Sequence, residues 1–325
     1  MRNKGTWTLI EQSLANGVAV MLLYVLESKG SSPGRQGFFM AVNTNNEMEG
    51  SIGGGIMEHK FVEMAKERLR AGSQESGVKK QIHDKAAATN QSGMICSGEQ
   101  TIFLYPVQPN DAGTIQQVIH SLEANKNGSL HLSPQGISFL PTIPAKDFSF
   151  SLESEEDWEY VEKTGFKNQL FIIGGGHCAL AFSKLMRSMD FYIWVYEERP
   201  GLNTLAKNEF AHEIIIVDDY TALGNLIPSG PDQYVVIMTE GYRTDDLAIR
   251  ALISKQLQYI GVLGSKKKME KLFAEYRDKG IAEDVLQRIQ SPAGLAINSQ
   301  TPEEIAISIA AEIIKIKNGL ATNAH

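Results

Sequence analysis

Two glycine-rich loops in the first half of the chain have the composition of anion-binding sites. The first, residues 30–37, reads G-S-S-P-G-R-Q-G. It offers two hydroxyls, a glycine backbone and a guanidinium, from Ser31, Ser32, Gly34 and Arg35. The forked donors of an arginine suit a phosphate or another planar anion. A plain surface loop is the alternative interpretation of the same residues.

The second loop, residues 50–58, reads G-S-I-G-G-G-I-M-E. Three successive glycines, Gly53, Gly54 and Gly55, lead into apolar residues at helical spacing, which predicts a helix that begins there. Free backbone N–H groups and the helix dipole together favour a bound anion at such a start. Glu58 lies in the first turn, and the structural alternative is that it complements the dipole itself.

A third glycine loop follows an apolar run in the second half of the chain. Residues 170–179 read L-F-I-I-G-G-G-H-C-A, in which Gly174, Gly176 and Ala179 fit G-x-G-x-x-A. An acidic residue, Glu197, ends the next predicted strand about twenty residues later, as in dinucleotide-binding folds. Glu197 can accept hydrogen bonds from ribose hydroxyls.

The predicted nucleotide site therefore comprises Gly174, Gly175, Gly176, His177 and Glu197, with His177 facing the ligand crevice. A doubly wound domain that keeps the turn and binds no nucleotide is the alternative. Cys178 is expected to point into helix packing.

Only two cysteines, Cys96 and Cys178, occur in the chain. Two thiols cannot form a disulfide framework or ligate an iron–sulfur cluster, and they fit a reducing, cytoplasmic compartment. Cys96 lies in a turn, G-M-I-C-S-G at residues 93–98, where backbone amides can favour the nucleophilic, metal-ligating thiolate. The sequence has no C-x-x-C or H-E-x-x-H pattern that would indicate structural zinc.

Length and charge limit the function classes. The 325 residues suggest about two domains. The net charge of −7 argues against nucleic-acid binding, which needs a basic face. The apolar run at residues 17–26 is too short to span a bilayer, so it is predicted to be a buried strand and the chain to have no membrane span.

The pattern predicts an α/β protein with a mixed α/β domain at 1–164 and a Rossmann-like, doubly wound parallel sheet at 165–325. Within the first domain, residues 108–164 are interpreted as a weak pair of elements followed by a connector. A capping box at Thr301 and Glu304 begins the last helix. The predicted strands of the second domain are 169–173, 191–197, 213–217, 234–238 and 259–262.

The loops at 30–37 and 50–58, the C-S-G at 96–98 and the I-I-G-G-G-H at 172–177 occur in a characteristic order. Further along come G-V-L-G-S-K-K-K, S-P-A-G-L and T-P-E-E-I-A-I-S-I-A-A-E-I, at 261–268, 291–295 and 301–313. Over nearly its whole length the chain thereby resembles the XdhC/CoxI family, the maturation factors of xanthine dehydrogenase and related molybdenum hydroxylases.

The resemblance implies a chaperone that binds the molybdenum cofactor, supports its sulfuration and delivers it to an apo-xanthine dehydrogenase or a related hydroxylase. A cysteine desulfurase would be a second partner. Cys96 matches the cysteine of the family's C-G-G pattern and would contact molybdenum. Ser97 and Ile56 depart from the family, which often has Gly at the first position and sometimes Cys at the second.

Two other functions stay open from the residues alone. One is an NAD-dependent oxidoreductase, with the nucleotide at the third loop, and the other is a nucleotide-sensing regulatory module. A homodimer is expected on general grounds. The chain is too short and too poor in cysteine to be a complete xanthine dehydrogenase, and an accessory factor is favoured over an enzyme.

Overall fold

The structure is a computed structural model that describes residues 4–82 and 98–319. The chain divides into two compact units, Met1–Gly165 (unit 1) and Phe166–His325 (unit 2). Each unit has its own sheets and its own apolar core. Within the described ranges, no helix combines the length and apolar character needed to cross a membrane.

Unit 1 contains two antiparallel sheets, with strand orders β3-β2-β1-β5-β4 and β7-β6-β9-β8. Its described elements, in chain order, are α1 (Lys4–Ala15), β1 (Val20–Gly30), β2 (Phe39–Asn43), β3 (Met48–Gly50), α2 (Gly55–Arg70), β4 (Gly77–Ile82), β5 (Gly98–Pro106), a 3-10 turn (Pro109–Asp111), α3 (Ala112–Glu123), β6 (Ser129–Ser133), β7 (Gly136–Leu140), β8 (Phe148–Leu152) and β9 (Trp158–Lys163).

The central strand β1 confirms the prediction of a buried strand. Leu22 and Tyr24 pack into the core that includes α1, α3 and the second sheet. Met21 and Leu23 pack on the opposite face, against α2. Because both faces are covered there, the strand is apolar at every position from Val20 to Leu26 rather than alternating.

Residues 108–164 differ from the predicted connector. They form α3 and the four-stranded sheet β6–β9, which belongs to the core of unit 1. Only alternate residues of these short strands are apolar and buried, such as Leu130 and Leu132 in β6 and Trp158 and Tyr160 in β9. Alternation over four or five residues between polar turns is a weak signal, which is why the sequence suggested a connector.

Unit 2 is a doubly wound domain whose parallel sheet has the order β12-β11-β10-β13-β14-β15. Its described elements are β10 (Asn168–Ile173), α4 (His177–Met186), β11 (Phe191–Glu197), α5 (Asn203–Ala206), β12 (Glu213–Ile216), a 3-10 turn (Tyr220–Ala222), α6 (Leu223–Leu226), β13 (Gly230–Ile237), α7 (Tyr242–Leu252), β14 (Leu257–Val262), α8 (Lys266–Asp278), α9 (Glu283–Gln287), β15 (Ile289–Gln290) and α10 (Pro302–Gly319).

The predicted Rossmann-like sheet is confirmed, since the five predicted strands are β10 to β14. When β10 to β15 are numbered 1 to 6 along the chain, they lie in the sheet in the order 3-2-1-4-5-6. This is the arrangement of dinucleotide-binding domains. Helices cover both faces: Leu170 and Ile172 of β10 pack toward α4 and α10, and Phe171 and Ile173 toward α7 and α8.

The predicted capping box of α10 is also confirmed. Glu304 N–H donates to Thr301 Oγ1 at 3.2 Å, and Thr301 N–H donates to Glu304 Oε2 at 3.1 Å. Further along α10, Glu312 Oε2 accepts from Gly294 N–H at 2.9 Å and from Tyr259 at 2.6 Å. These bonds join the S-P-A-G-L segment to the helix, so the two motifs form one structural unit.

His212 is a half-buried histidine that is expected to make the stability of unit 2 depend on pH. Ile193 N–H donates to His212 Nδ1 at 2.9 Å, and the ring stacks on Tyr192 with centroids 4.4 Å apart. Burial lowers the pKa of His212 to about 4. A histidine whose pKa is depressed on folding contributes stability above its unfolded pKa of about 6.5, and this is lost as the pH falls toward 4.

We therefore expect the free energy of unfolding to drop by about 1–2 kcal/mol between pH 7 and pH 4.5 through this residue, after discounting for its partial exposure. The check is urea unfolding at both pH values for the wild type and for His212→Gln. The pH effect should be smaller in the variant by that amount. An identical pH effect in both proteins would show that His212 does not titrate as stated.

Candidate functional site

The two glycine loops of unit 1 touch each other through their backbones. A Cβ added to Gly34 would lie 1.9 Å from the carbonyl oxygen of Ile52, and one added to Gly53 would lie 2.4 Å from Gly34 N. Gly53 also has a φ of +130°, in a region that favours glycine. The loops at 30–37 and 50–58 therefore form one joined surface.

Gln100, which the sequence analysis missed, links the two loops. Its side-chain Nε2 donates to Gly34 O at 3.0 Å and to Ile52 O at 3.3 Å, and the residue is buried. The available signal was a glutamine just before the apolar run of β5. At the start of the same strand, Gly98 pairs with Gly30, and its Cβ position lies 2.7 Å from Ser32 N.

Replacing Gln100 with leucine is expected to lower the free energy of unfolding by about 2–3 kcal/mol, because two buried carbonyls lose a donor. Urea unfolding monitored by circular dichroism measures the change. Gln12→Leu, on the exposed face of α1, is the matched control and should change stability by less than about 0.5 kcal/mol. Equal effects of the two substitutions would contradict a linking role for Gln100.

The predicted polar residues of the first loop divide into two groups. Ser32 is buried, and its Oγ lies 2.6 Å from Ser28 Oγ, so it holds the loop together. Ser31 and Arg35 are exposed, although Arg35 Nη1 donates to Gly30 O at 3.1 Å. The exposed pair is the part of this loop that can meet a ligand.

The second loop has an internal anion. Glu58 Oε2 accepts from Ser51 Oγ at 2.6 Å, Ile52 N–H at 2.9 Å and Gly54 N–H at 3.0 Å. The carboxylate thus occupies the place at which the sequence predicted an external anion, which agrees with the structural alternative for this residue. A ligand anion at these amides must share or displace it. The Cβ position of Gly54 has no atom within 4 Å, so this side of the loop is open.

Cys96 and Ser97 lie outside the described residues, so the predicted thiol ligand has no described geometry. In the parts of the chain that are described, no three His, Cys, Asp or Glu side chains are grouped as a metal site requires. The first described residue after the gap is Gly98, which contacts the 30–37 loop.

The predicted glycine loop of unit 2 lies at the carboxyl ends of the parallel strands. Gly174 has a φ of +108°, and its Cβ position lies 2.5 Å from Met238 O. The Cβ position of Gly175 lies 2.5 Å from Leu205 Cδ2. Backbone packing therefore requires a glycine at 174, whereas a Cβ at Gly175 would displace the Leu205 side chain. Gly176, by contrast, has no atom within 4 Å of its Cβ position, which leaves room for a ligand at the start of α4.

Glu197 is buried and already bonded to its own chain. Its Oε2 accepts from Gly175 N–H at 2.7 Å, and Arg199 Nε and Nη2 each donate to the carboxylate at 2.9 Å. Burial would raise the pKa of Glu197, but the bonds from Arg199 and Gly175 outweigh burial and lower it. In this arrangement the carboxylate holds the glycine loop, whereas the sequence predicted that it accepts from ribose hydroxyls.

A buried charge cluster lies at the same edge of the sheet and was not predicted. Asp245 is fully buried, and it accepts from Lys268 and, at 2.6 Å, from Thr239 Oγ1. Lys268 Nζ also donates to Leu263 O at 3.3 Å. The ammonium folds back over Gly264, whose Cβ position is 2.8 Å from Nζ. The only signal in the sequence was the lysine run at 266–268.

His177 and Cys178 follow the glycine loop on α4. His177 is exposed and lines a cavity of about 250 Å³ together with Lys184, Lys207 and Phe210. Cys178 packs partly against the apolar core, as expected, and burial raises the pKa of its thiol. Nothing in this geometry makes Cys178 reactive.

Two family models match the sequence over ranges that agree with these two units. The model of the XdhC and CoxI family matches residues 13–79, and the model of the XdhC Rossmann domain matches residues 170–313. Together the matches cover more than half of the chain. This chain belongs to the XdhC/CoxI family. The first match includes both glycine loops of unit 1, and the second includes the glycine loop and the charge cluster of unit 2.

Relatives of this XdhC/CoxI member carry two kinds of name. It is 24% identical over 295 residues to the uncharacterized protein YqeB of Escherichia coli (strain K12), covering 90% of this chain and 43% of that protein. It is 28% identical over 162 residues to a probable xanthine dehydrogenase subunit of Bacillus subtilis (strain 168), covering 50% and 47%. The matched stretch is less than half the length of both relatives.

A solved structure has the same fold over almost the whole chain. It is described as a xanthine dehydrogenase from Bacillus halodurans, and it superimposes with a TM-score of 0.71. The alignment covers 98% of this chain and 96% of that one at 24% identity. At this identity the likeness establishes the fold of the XdhC/CoxI member and no more.

Proposed function

We propose that this chain is an accessory protein that binds the molybdenum cofactor as cargo, supports its sulfuration and delivers it to xanthine dehydrogenase or a related molybdenum hydroxylase. One observation carries the proposal. Three segments that are separate in the sequence lie next to one another in unit 1: the 30–37 loop, the 50–58 loop and the start of β5 at Gly98. Gln100 joins the two loops. The joined loops supply donors suited to a pterin phosphate.

In this proposal the exposed side chains of Ser31 and Arg35 and the amides at Gly53–Gly55 hold the pterin phosphate. The guanidinium supplies a fork of donors, and the glycine amides supply the N–H groups of a helix start. Glu58 accepts from the Gly54 amide, and from that of Ile52, while no cargo is bound, and the phosphate replaces its carboxylate at Gly54. Cys96, two residues before Gly98, is the proposed thiolate ligand of molybdenum.

The family membership and the name of the Bacillus subtilis relative support a molybdenum hydroxylase as the recipient. The sulfur would come from a partner cysteine desulfurase, and we expect the chain to act in the cytoplasm as a homodimer. These partners follow from the proposed chemistry, since a cofactor that exchanges an oxo ligand for sulfur needs a sulfur donor and an acceptor protein.

The delivery step is tested by co-expression. A molybdenum hydroxylase is produced with the wild-type chain, with Cys96→Ser, with Cys178→Ser or with none, in a host that lacks a homologue. We expect the molybdenum occupancy of the purified hydroxylase to rise severalfold with the wild type and with Cys178→Ser, and to remain at the level without the chain for Cys96→Ser. The same occupancy with and without the wild-type chain would contradict the proposal.

A further inference from the structure

Arg199 crosses the carboxyl edge of the unit 2 sheet. It follows β11, and its guanidinium forms an ion pair with Glu240, which follows β13. Strand β10 lies between these two strands, so the pair joins positions that are two strand spacings, about 10 Å, apart. Gly174–Gly176 follow β10, and the ion pair therefore passes over the edge at which this glycine loop lies.

The two sides of the guanidinium are held very differently. Nε and Nη2 donate to the buried carboxylate of Glu197, each at 2.9 Å. Nη1 donates to Glu240, whose side chain is 64% exposed, while the arginine side chain is 38% exposed. Exposed ion pairs contribute little stability, whereas the two-pronged bond to a buried carboxylate is strong. Nη1 is thus the donor that can change partner.

The edge that Arg199 crosses is where a domain of this topology takes its ligand. In open parallel sheets, ligands bind at the carboxyl ends of the strands where the strand order reverses, which here is between β10 and β13. A diphosphate at this point meets the first amides of α4, and Gly176 leaves space for it. Glu240 accordingly places a carboxylate beside the position of such a diphosphate.

We propose that Glu240 is an internal substitute for the phosphate of a nucleoside diphosphate group, which unit 2 binds at this edge. When the ligand enters, Nη1 of Arg199 leaves Glu240 and donates to a phosphate oxygen. Nε and Nη2 stay on Glu197, so the guanidinium is already oriented. The ligand competes with Glu240 for one donor, and the site is independent of the cofactor site proposed in unit 1.

Calorimetric titration of the full chain with ADP, and with adenosine as the ligand without phosphates, tests the competition. Glu240→Gln is compared with Glu270→Gln, which removes the same charge from a side chain that is also 64% exposed, in α8. We expect Glu240→Gln to bind ADP about 3- to 5-fold more tightly than the wild type. This factor corresponds to the energy of the exposed ion pair that the ligand no longer has to break. Glu270→Gln should match the wild type.

Arg199→Lys is expected to weaken ADP binding about tenfold, because an ammonium cannot keep both bonds to Glu197 and reach the phosphate. Should this variant fold poorly, the comparison of the two glutamine variants decides alone. The proposal is overturned if Glu240→Gln binds ADP no more tightly than Glu270→Gln, or if adenosine shows the same gain. It is equally overturned if the wild type and Glu240→Gln show no binding of ADP at millimolar concentration.

Discussion

Replacing Lys268 with methionine is expected to lower the free energy of unfolding by about 3–5 kcal/mol at pH 7, because it leaves the carboxylate of Asp245 buried without its cation. The lysine side chain is only 25% exposed and its partner is fully buried. Burial already raises the pKa of Asp245, against the opposing effect of Lys268 and Thr239. Without the ammonium, much less offsets the free-energy cost of burying the Asp245 carboxylate.

Two further variants make this expectation specific. Lys266→Met removes an 82% exposed ammonium of the same helix, 3.9 Å from Glu270, and should change stability by less than about 1 kcal/mol. Lys268→Met combined with Asp245→Asn should recover a large part of the loss, since the amide carries no charge to bury. Urea unfolding of the four proteins gives the comparison.

The difference in the free energy of unfolding between the wild type and Lys268→Met should also become smaller at lower pH. Without the lysine, the folded-state pKa of Asp245 lies above its unfolded value, so protonation stabilises the folded state, and the deficit falls as the pH decreases from the folded-state pKa toward the unfolded one. The buried-pair account would be contradicted if Lys268→Met lowered the free energy of unfolding by less than about 1 kcal/mol at pH 7. It would also be contradicted if the double variant were less stable than Lys268→Met.

Replacing Gly34 with alanine is expected to lower the free energy of unfolding by about 2–4 kcal/mol and to reduce the bound cofactor severalfold. The added Cβ would lie 1.9 Å from Ile52 O and 2.5 Å from the Gln100 amide. Both loops must then move apart, which breaks the surface proposed to hold the cargo.

Gly54→Ala is the matched control for the joined loops. Its φ of +76° makes alanine unfavourable by about 1 kcal/mol, but its Cβ would meet no atom within 4 Å. We expect a small loss of stability and a retained contact between the loops. Urea unfolding and the molybdenum content of both variants provide the test. The account of the joined loops fails if Gly34→Ala is as stable as Gly54→Ala.

The sequence was sufficient for the elements whose signals are local. The strands of unit 2 are apolar runs between helices, and the N-terminal capping box of α10 is formed by Thr301 and Glu304, three residues apart. The sheet β6–β9 was missed because its strands are short and its buried residues, such as Leu130 and Tyr160, are separated by polar ones. Local propensity does not show that such strands share a core.

The glycine loops of the candidate site could be predicted from the sequence, but the contacts between them could not. Glycine runs marked the loops, but only the folded backbone shows that Gly34 and Gly53 meet. Side-chain partners at long range were out of reach for the same reason. Neither the pairing of Asp245 with Lys268 nor that of Arg199 with Glu240 has a spacing rule that reveals it.

The most direct test of the central claim is the molybdenum and pterin content of the purified chain. The protein is isolated without oxygen from a molybdate-fed host that makes the cofactor, with metal measured by mass spectrometry and pterin by fluorescence after oxidation. We predict close to one equivalent of each in the wild type and in Cys178→Ser, and a severalfold loss in Cys96→Ser. A folded wild-type protein with neither molybdenum nor pterin would contradict the claim that this chain carries the cofactor.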